Sequence, residues 1–496
     1  MCSSRDARPK AEARASDVSS RQRHPSVGSP AQRAAFSATT AIAAVLALPS
    51  FSLANPTGGV VVDGAATISS TTNVTNVVQS TNRAIINWQS FSIGLGQTVN
   101  FLQPSSLAVT LNRVVGNEQS IIAGALNANG KVFIINSNGI MFTKDAQVNV
   151  GGLVASTLDI SNSNFMAGNY TFSGSSAASV VNKGTINAAD GGYVALLGKT
   201  VSNEGTINAK LGTIALASGD AITLNFSGDS LLDVTIDKGT YDALVENKGL
   251  IQADGGNVVM TAKAADAVLS AQVNNSGIIQ ARTLADLTGG SSSTGSVKIG
   301  KIKLLAQGGT TKVSGTLDAS APNGGKGGTI ETSGNKVTVA DSAAVTTASS
   351  TGETGSWTID PDGFTIGTGG DITGTLLGSL LASNNITLWS TSGSGTGGNI
   401  YVNSAVSWSG NTILTLNATN NIYVNAPVTA TGTSAGLVLN YGNYASAGSA
   451  TSGTNYYVDI DNGAKVTLSG TSASLTINGK AYTLFHSMAD LAPIRA

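Results

Sequence analysis

The chain has 496 residues, with 27 Lys and Arg against 28 Asp and Glu, a formal net charge of −1, a single Cys and only 11% charged residues. So few bases leave no electrostatic footprint for wrapping nucleic acid, a hydrophobic fraction of 41% excludes a disordered chain, and 60 glycines without a three-residue period exclude collagen. Glu, Lys and Arg are too scarce for helical bundles, whereas the abundance of Val, Ile, Thr, Ser, Asn and Gly fits a large, turn-rich β protein.

Residues 1–54 read as a secretory signal with an extended basic start. Seven bases (Arg5, Arg8, Lys10, Arg14, Arg21, Arg23, Arg33) and three acids (Asp6, Glu12, Asp17) precede the apolar run Ala41-Ile42-Ala43-Ala44-Val45-Leu46-Ala47-Leu48. Ser52-Leu53-Ala54 then supplies small residues at the −3 and −1 positions, which places cleavage between Ala54 and Asn55. The apolar run is too short to span the roughly 30 Å of a bilayer core. Cys2 and His24 leave with the signal, so the remainder has no Cys, one His (His486) and 20 bases against 25 acids, a formal charge of −5. A secreted chain of this size without disulfides must be held by its own packing.

Residues 55–175 are mainly β by pattern, with runs such as Gly59-Val60-Val61-Val62, Arg83-Ala84-Ile85-Ile86-Asn87-Trp88 and Lys131-Val132-Phe133-Ile134-Ile135, and they carry Trp88, Phe91, Phe101, Phe133, Phe142 and Phe165. From about residue 180 a loose unit recurs: Asn-x-Gly-x-Ile, a turn containing Gly, then an apolar strand. It starts at Asn182, Asn203, Asn247 and Asn275, the first two copies 21 residues apart and the last two 28. A period of 20–30 residues made of short strands and turns is a solenoid signature. Each strand has too few inward Val, Ile and Leu to form a core alone, but stacked coils would merge them into one column. Gly and Asn sit where the chain turns sharply, and equivalent Asn side chains can hydrogen-bond along the stack. The expected fold is therefore all-β, a right-handed parallel β-helix with residues 55–175 as the β cap that the open end of such a column requires. Residues 176–355 form its regular repeats, and residues 356–496 a less regular region richer in Ser, Thr, Gly and Asn. The stop at residue 496 is compatible with a truncated product or a short exoprotein.

Chemical motifs are sparse. Gly393-Ser394-Gly395-Thr396-Gly397-Gly398 satisfies G-x-G-x-x-G, but strand-like Asn399-Ile400-Tyr401-Val402 follows where a dinucleotide site needs a helix. Gly192 to Gly198-Lys199-Thr200 has the wrong spacing for a phosphate loop. One His and no Cys cannot build a Cys/His metal cluster, so no cofactor is expected. Parallel β-helices that cleave polysaccharides place Asp residues together on adjacent coils. The candidates here are Asp190, Asp254, Asp360 and Asp362; the first two precede Gly pairs in ordinary turns, and Asp360-Pro361-Asp362-Gly363 joins two strand-like runs.

A series of ordered motifs is more specific. Ile86-Asn87-Trp88-Gln89-Ser90-Phe91-Ser92-Ile93-Gly94, Val99-Asn100-Phe101-Leu102-Gln103-Pro104, Leu111-Asn112-Arg113-Val114, Ile121-Ile122-Ala123-Gly124, Lys131-Val132-Phe133-Ile134-Ile135-Asn136-Ser137-Asn138-Gly139-Ile140 and Gly151-Gly152-Leu153-Val154-Ala155-Ser156-Thr157 follow one another. The series resembles the N-terminal secretion domain of filamentous-haemagglutinin-like exoproteins of bacterial two-partner secretion, closely over about residues 55–175. The family's Asn-Pro-Asn-Gly-Ile reads here Asn136-Ser137-Asn138-Gly139-Ile140, with Ser in place of Pro. The resemblance implies that this pentapeptide, supported by Asn112 and Arg113, is the motif read by the periplasmic domains of an outer-membrane β-barrel transporter while the chain is unfolded. With the Asp candidates read as turn residues and long β faces exposing Ser, Thr and Asn, the expected function is a non-enzymatic, adhesin- or haemagglutinin-like exoprotein, secreted or displayed on a Gram-negative cell surface and meeting host-cell, matrix or bacterial-surface receptors. The alternatives are a β-helical polysaccharide lyase or glycoside hydrolase, and a haem- or host-protein-binding exoprotein.

Overall fold

A computed structural model describes residues 55–266, 268, 270–285, 297–390, 397–444, 457–461, 463–487 and 490. The signal, Ala54, and most of the Gly393–Gly398 motif lie outside the described residues. Residues 52–496 form one compact unit.

The repeats fold as coils of short strands. Ser179–Asn182, Thr185–Ala188 and Tyr193–Gly198 make one coil, and Thr200–Asn203, Thr206–Asn208 and Thr213–Ser218 the next. Their equivalents pair in parallel register, Val180 with Val201, Ile186 with Ile207 and Val194 with Ile214. Alternation places every second side chain inward, and Val180, Val201, Val245 and Val273 are fully buried one above another, as are Ile186, Ile207, Ile251, Ile279 and Leu317. The column is a parallel β-helix.

Short antiparallel strands cover part of each described end of the column, where unpaired strand edges would otherwise invite aggregation. At one end Val60–Asp63 runs against Arg83–Trp88, and Ala66–Ser70 against Val74–Gln79. Buried Trp88 packs edge-on against Phe91 there, ring centroids 5.6 Å apart. At the other end Ser474–Ile477 turns back as Lys480–Tyr482, through Asn478 and Gly479, whose positive φ values of 44° and 73° suit a two-residue hairpin turn. Parallel pairing already joins Val74–Gln79 to Thr98–Leu102 and Arg83–Trp88 to Val109–Val114, and the ladder crosses residue 175 unbroken, Val148 beside Ile186 and Leu153 beside Val194. Beyond residue 356 the coils change. The helix Gly374–Leu380 intervenes, and two short sheets, Phe364–Ile366 with Ile400–Val402, Ile422–Val424 and Val458–Ile460, and Val406–Trp408 with Val428–Ala430 and Val466–Leu468, take over two faces.

The single column of the sequence reading is incomplete. Residues 157–178 and 219–243 leave the helix, and Thr171–Ser173, Ala221–Ser227 and Ser230–Lys238 form an outer three-stranded antiparallel sheet. It covers the outward face of Lys131–Ile135, Gly152–Ser156, Tyr193–Gly198 and Thr213–Ser218, whose residues are all buried. Phe133, Val154, Ala195, Leu197 and Ala217 thereby join Phe165, Phe172, Ile222 and Leu224 in a second core outside the column. Strands buried on both faces read as continuous apolar runs rather than alternations, as Val194-Ala195-Leu196-Leu197 does. Lys131, 7% exposed, pins the outer hairpin through Asp229 at 3.2 Å.

Candidate functional site

Asn136 to Ile140 form the turn between the strands Lys131–Ile135 and Ile140–Phe142. The Asn136 side chain is fully buried, and it donates to the Glu118 carbonyl and the Ser120 hydroxyl, both at 2.9 Å. Its own side-chain oxygen accepts from the Asn138 backbone N–H at 2.9 Å and the Asn138 amide at 3.0 Å. Asn138 also donates to the Gly116 carbonyl at 3.0 Å. Gly139 has a φ of 103°, which only glycine adopts without strain. Ser137 is the exposed member, and its carbonyl accepts a bond from the Ser176 hydroxyl. In the folded chain the turn is thus a lock whose amides hold the preceding coil, since leaving such buried groups unpaired would cost about 1–3 kcal/mol each.

Asn112 and Arg113 sit one coil earlier, with Arg113 in register with Ile135, next to Asn136. They face opposite ways. Asn112 occupies the inner column beside Ile134, fully buried, where it accepts from the Trp88 indole N–H at 3.0 Å and donates to the Phe133 carbonyl at 3.2 Å. Arg113 faces the outer core and fixes the start of the first excursion, through Asp159 at 2.9 Å, Asn162 at 2.8 Å and the Ile160 carbonyl. Asn55 is tucked into the cap, its amide within 3.3 Å of the Thr71 and Thr72 carbonyls.

The repeat asparagines stack as a ladder. Asn182 donates to Asn203, Asn203 to Asn247 and Asn247 to Asn275, each at 2.8 Å and each essentially fully buried.

The acidic candidates do not converge as a set. Asp190 pairs with Lys210 on an exposed turn at 3.4 Å. Burial raises the Asp254 carboxyl, but hydrogen bonds from Arg282, at 2.6 Å, and Gln252 outweigh it and hold the group below its ordinary range. Asp360 and Asp362 do come together, with Glu331, which the sequence reading missed. Glu331 lies on the neighbouring coil, opposite Thr358 and two residues along from the partner of Asp360. Burial, then Glu331 and then Asp362, push the Asp360 carboxyl up to about 6. Asp360 Oδ1 is buried without a hydrogen-bond partner, in a groove of about 360 Å³ shared with Lys301, Lys303 and Glu331. Gly192 to Thr200 is strand, turn and strand, with no helix to cradle a phosphate. Among the described residues no three His, Cys, Asp or Glu are placed to hold a metal ion, and no helix is long and apolar enough to cross a membrane.

Comparison with known proteins bears on this arrangement. The TPS secretion domain profile matches residues 53–313. A heme/hemopexin-binding protein of Haemophilus influenzae strain Rd is 35% identical over 224 residues, 43% of this chain and 24% of that protein. A second heme/hemopexin-binding protein of Haemophilus influenzae is 32% identical over 251 residues, 46% of this chain and 26% of that protein. The chain therefore matches about a quarter of the length of these curated relatives. The crystal structure of the HMW1 secretion domain from Haemophilus influenzae superposes with a TM-score of 0.56 at 27% identity, covering 85% of this chain and all of that one.

Proposed function

The chain belongs to the TPS secretion domain family, and from that premise we propose that it is an adhesin-like exoprotein that passes through the periplasm and an outer-membrane β-barrel transporter to the surface of a Gram-negative cell. In this reading residues 1–54 are the export signal, removed between Ala54 and Asn55. Residues 55–175 carry what the transporter's periplasmic domains bind, with Asn136–Ile140 as the recognition motif and Asn112 and Arg113 in support. Coils nucleate locally and add one by one outside the cell, which biases movement outward. Adhesion rests on long β faces rich in Ser, Thr and Asn that meet host-cell, matrix or bacterial-surface receptors, and the protein is a binder rather than an enzyme.

One observation carries the proposal. The polar atoms of Asn136 all face inward in the fold, so a partner can read them only before the chain folds, on the periplasmic side. The test is secretion of wild-type protein and of Asn136→Ala and Asn138→Ala variants, with and without the transporter. Export should require the transporter and drop for both variants, and periplasmic domains should bind the urea-unfolded wild-type chain but not the folded one. Export with the transporter jammed, or undiminished after deletion of residues 55–175, would refute it.

A second reading, binding of haem or a host protein, is favoured by the names of the two relatives, and retention of the purified protein on immobilised haem-loaded hemopexin would select it.

A further inference from the structure

The outer face beyond residue 363 carries an aromatic step that the export reading leaves unused. Thr365, Tyr401 and Tyr423 are register partners on successive coils, so their side chains share one outward row. The rings of Tyr401 and Tyr423 stack at 4.8 Å with 6° between planes, and Tyr457 stands edge-on to Tyr423 at 5.9 Å. Asn399 and Asn421, each two residues before its tyrosine, donate to the two hydroxyls at 3.2 Å. Pinned at the hydroxyl and stacked on one face, the Tyr401 ring is a fixed platform.

Its other face looks toward the preceding coil, where the row holds only Thr365, too small to cover a phenol ring. Beside Thr365 opens a cleft of about 350 Å³, lined by Asn335, Lys336, Thr365, Thr368 and Asp371 with glycine backbone. Asp371 Oδ2 accepts from the Thr365 backbone N–H at 2.9 Å, while Oδ1 stands 3.8 Å from the Lys336 ammonium. The Gly369 position is open to solvent, with nothing within 4 Å of where a side chain would start.

We propose that a neutral hexopyranose unit of a glycan lies across Thr365, which lines the cleft and neighbours Tyr401, with the sugar's C–H face on Tyr401 and its hydroxyls reaching into the cleft to bond Asp371, Lys336 and Asn335. The chemistry is selective. A pyranose has one face of C–H groups that packs on an aromatic ring, and hydroxyls that both donate and accept, which suits a carboxylate, an amide and an ammonium side by side. Lys336 and Asp371 cancel in charge, so an anionic or cationic ligand gains little, and the polar lining disfavours an apolar one. The volume lies at the small end of ligand sites and admits one or two sugar rings. The proposal rests on the adhesin reading for its biological use but not for its chemistry.

The test uses the full secreted protein on an array of immobilised saccharides, followed by calorimetric titration of the best neutral one. Two variants keep the fold in hand. Tyr401→Thr puts in the row the residue type it already carries at Thr365, and Thr365→Tyr extends the stack by one ring and covers the Tyr401 face. Wild type should bind a neutral hexose glycan, and both variants should bind it at least about tenfold more weakly, with unchanged circular dichroism. Tyr423→Phe, which keeps the stacked ring, should bind like wild type. No neutral saccharide bound, binding confined to sulfated or sialylated glycans, or binding as tight as wild type by Thr365→Tyr and Tyr401→Thr would overturn it. Adherence of bacteria displaying the same proteins separates the two readings: adherence by a wild-type protein that binds no neutral saccharide overturns the cleft alone, and sugar binding without any adherence overturns the adhesin reading alone.

Discussion

Substituting Asn203 interrupts the buried amide ladder at its middle. Its side chain accepts from Asn182 and donates to Asn247, both at 2.8 Å, with further donation toward the Gly205 and Leu250 carbonyls at 3.3 Å, and it has no exposed surface. Asn203→Ala leaves the Asn247 side-chain oxygen without a donor and removes the best acceptor of the Asn182 amide. At about 1–3 kcal/mol for each orphaned buried group, the loss is roughly 2–6 kcal/mol. Asn203→Asp is nearly isosteric but worse at neutral pH. It brings two acceptors face to face and buries a charge, a loss of about 4 kcal/mol or more, and acid relieves it because the protonated carboxyl can donate again. Because each coil touches only its neighbours, the damage is local. Urea denaturation gives the size of the effect, and hydrogen exchange should show protection lost first between residues 182 and 252. An Asn203→Asp protein within about 1 kcal/mol of wild type at neutral pH, or one destabilised equally at pH 4 and 7.5, would sink the argument.

Two other consequences are measurable. Asp360, raised to about 6 chiefly by burial, favours its protonated form in the fold, so its contribution is fully present below the unfolded value near 4 and is lost as pH rises through 6. Allowing for solvent screening at this half-buried group, Asp360→Asn should gain about 1–2 kcal/mol at pH 7.5 and flatten urea midpoints between pH 4 and 6; a variant with wild-type pH dependence would contradict the assignment. Arg113→Lys cannot reproduce the fork that reaches Asp159, Asn162 and the Ile160 carbonyl together, and should expose the 157–178 excursion to limited proteolysis while the coils resist.

The column was legible because its determinants are local and repeated. Asn182, Asn203, Asn247 and Asn275 mark equivalent turns, and once these align, the inward Val and Ile follow by alternation. The outer core was not, because its two layers come from excursions more than forty residues apart. Phe172 meets Ile222 only when both lie over the coils, and continuous apolar runs such as Val132–Ile135 and Val194–Leu197 were the local hint of burial on both sides. The lock at Asn136 was recognisable as a motif, yet its partners Gly116, Glu118 and Ser120 are set by the coil path and carry no pattern of their own. Glu331 escaped for a similar reason. Its nearness to Asp360 depends on a register between coils 27 residues apart, as Ser333 pairs with Asp360, where the repeat length has already drifted.

The outer sheet also governs how the molecule would yield under tension. Hydrogen bonds between coils run along the rod, so a pull at the far end peels one coil after another at low force. Thr171–Ser173 bonds directly to Ala221–Thr223, which straps the two coils at 179–218 between them. Unravelling that proceeds freely through the later coils must halt at this strap until it shears, leaving a stretched tail on a head that holds.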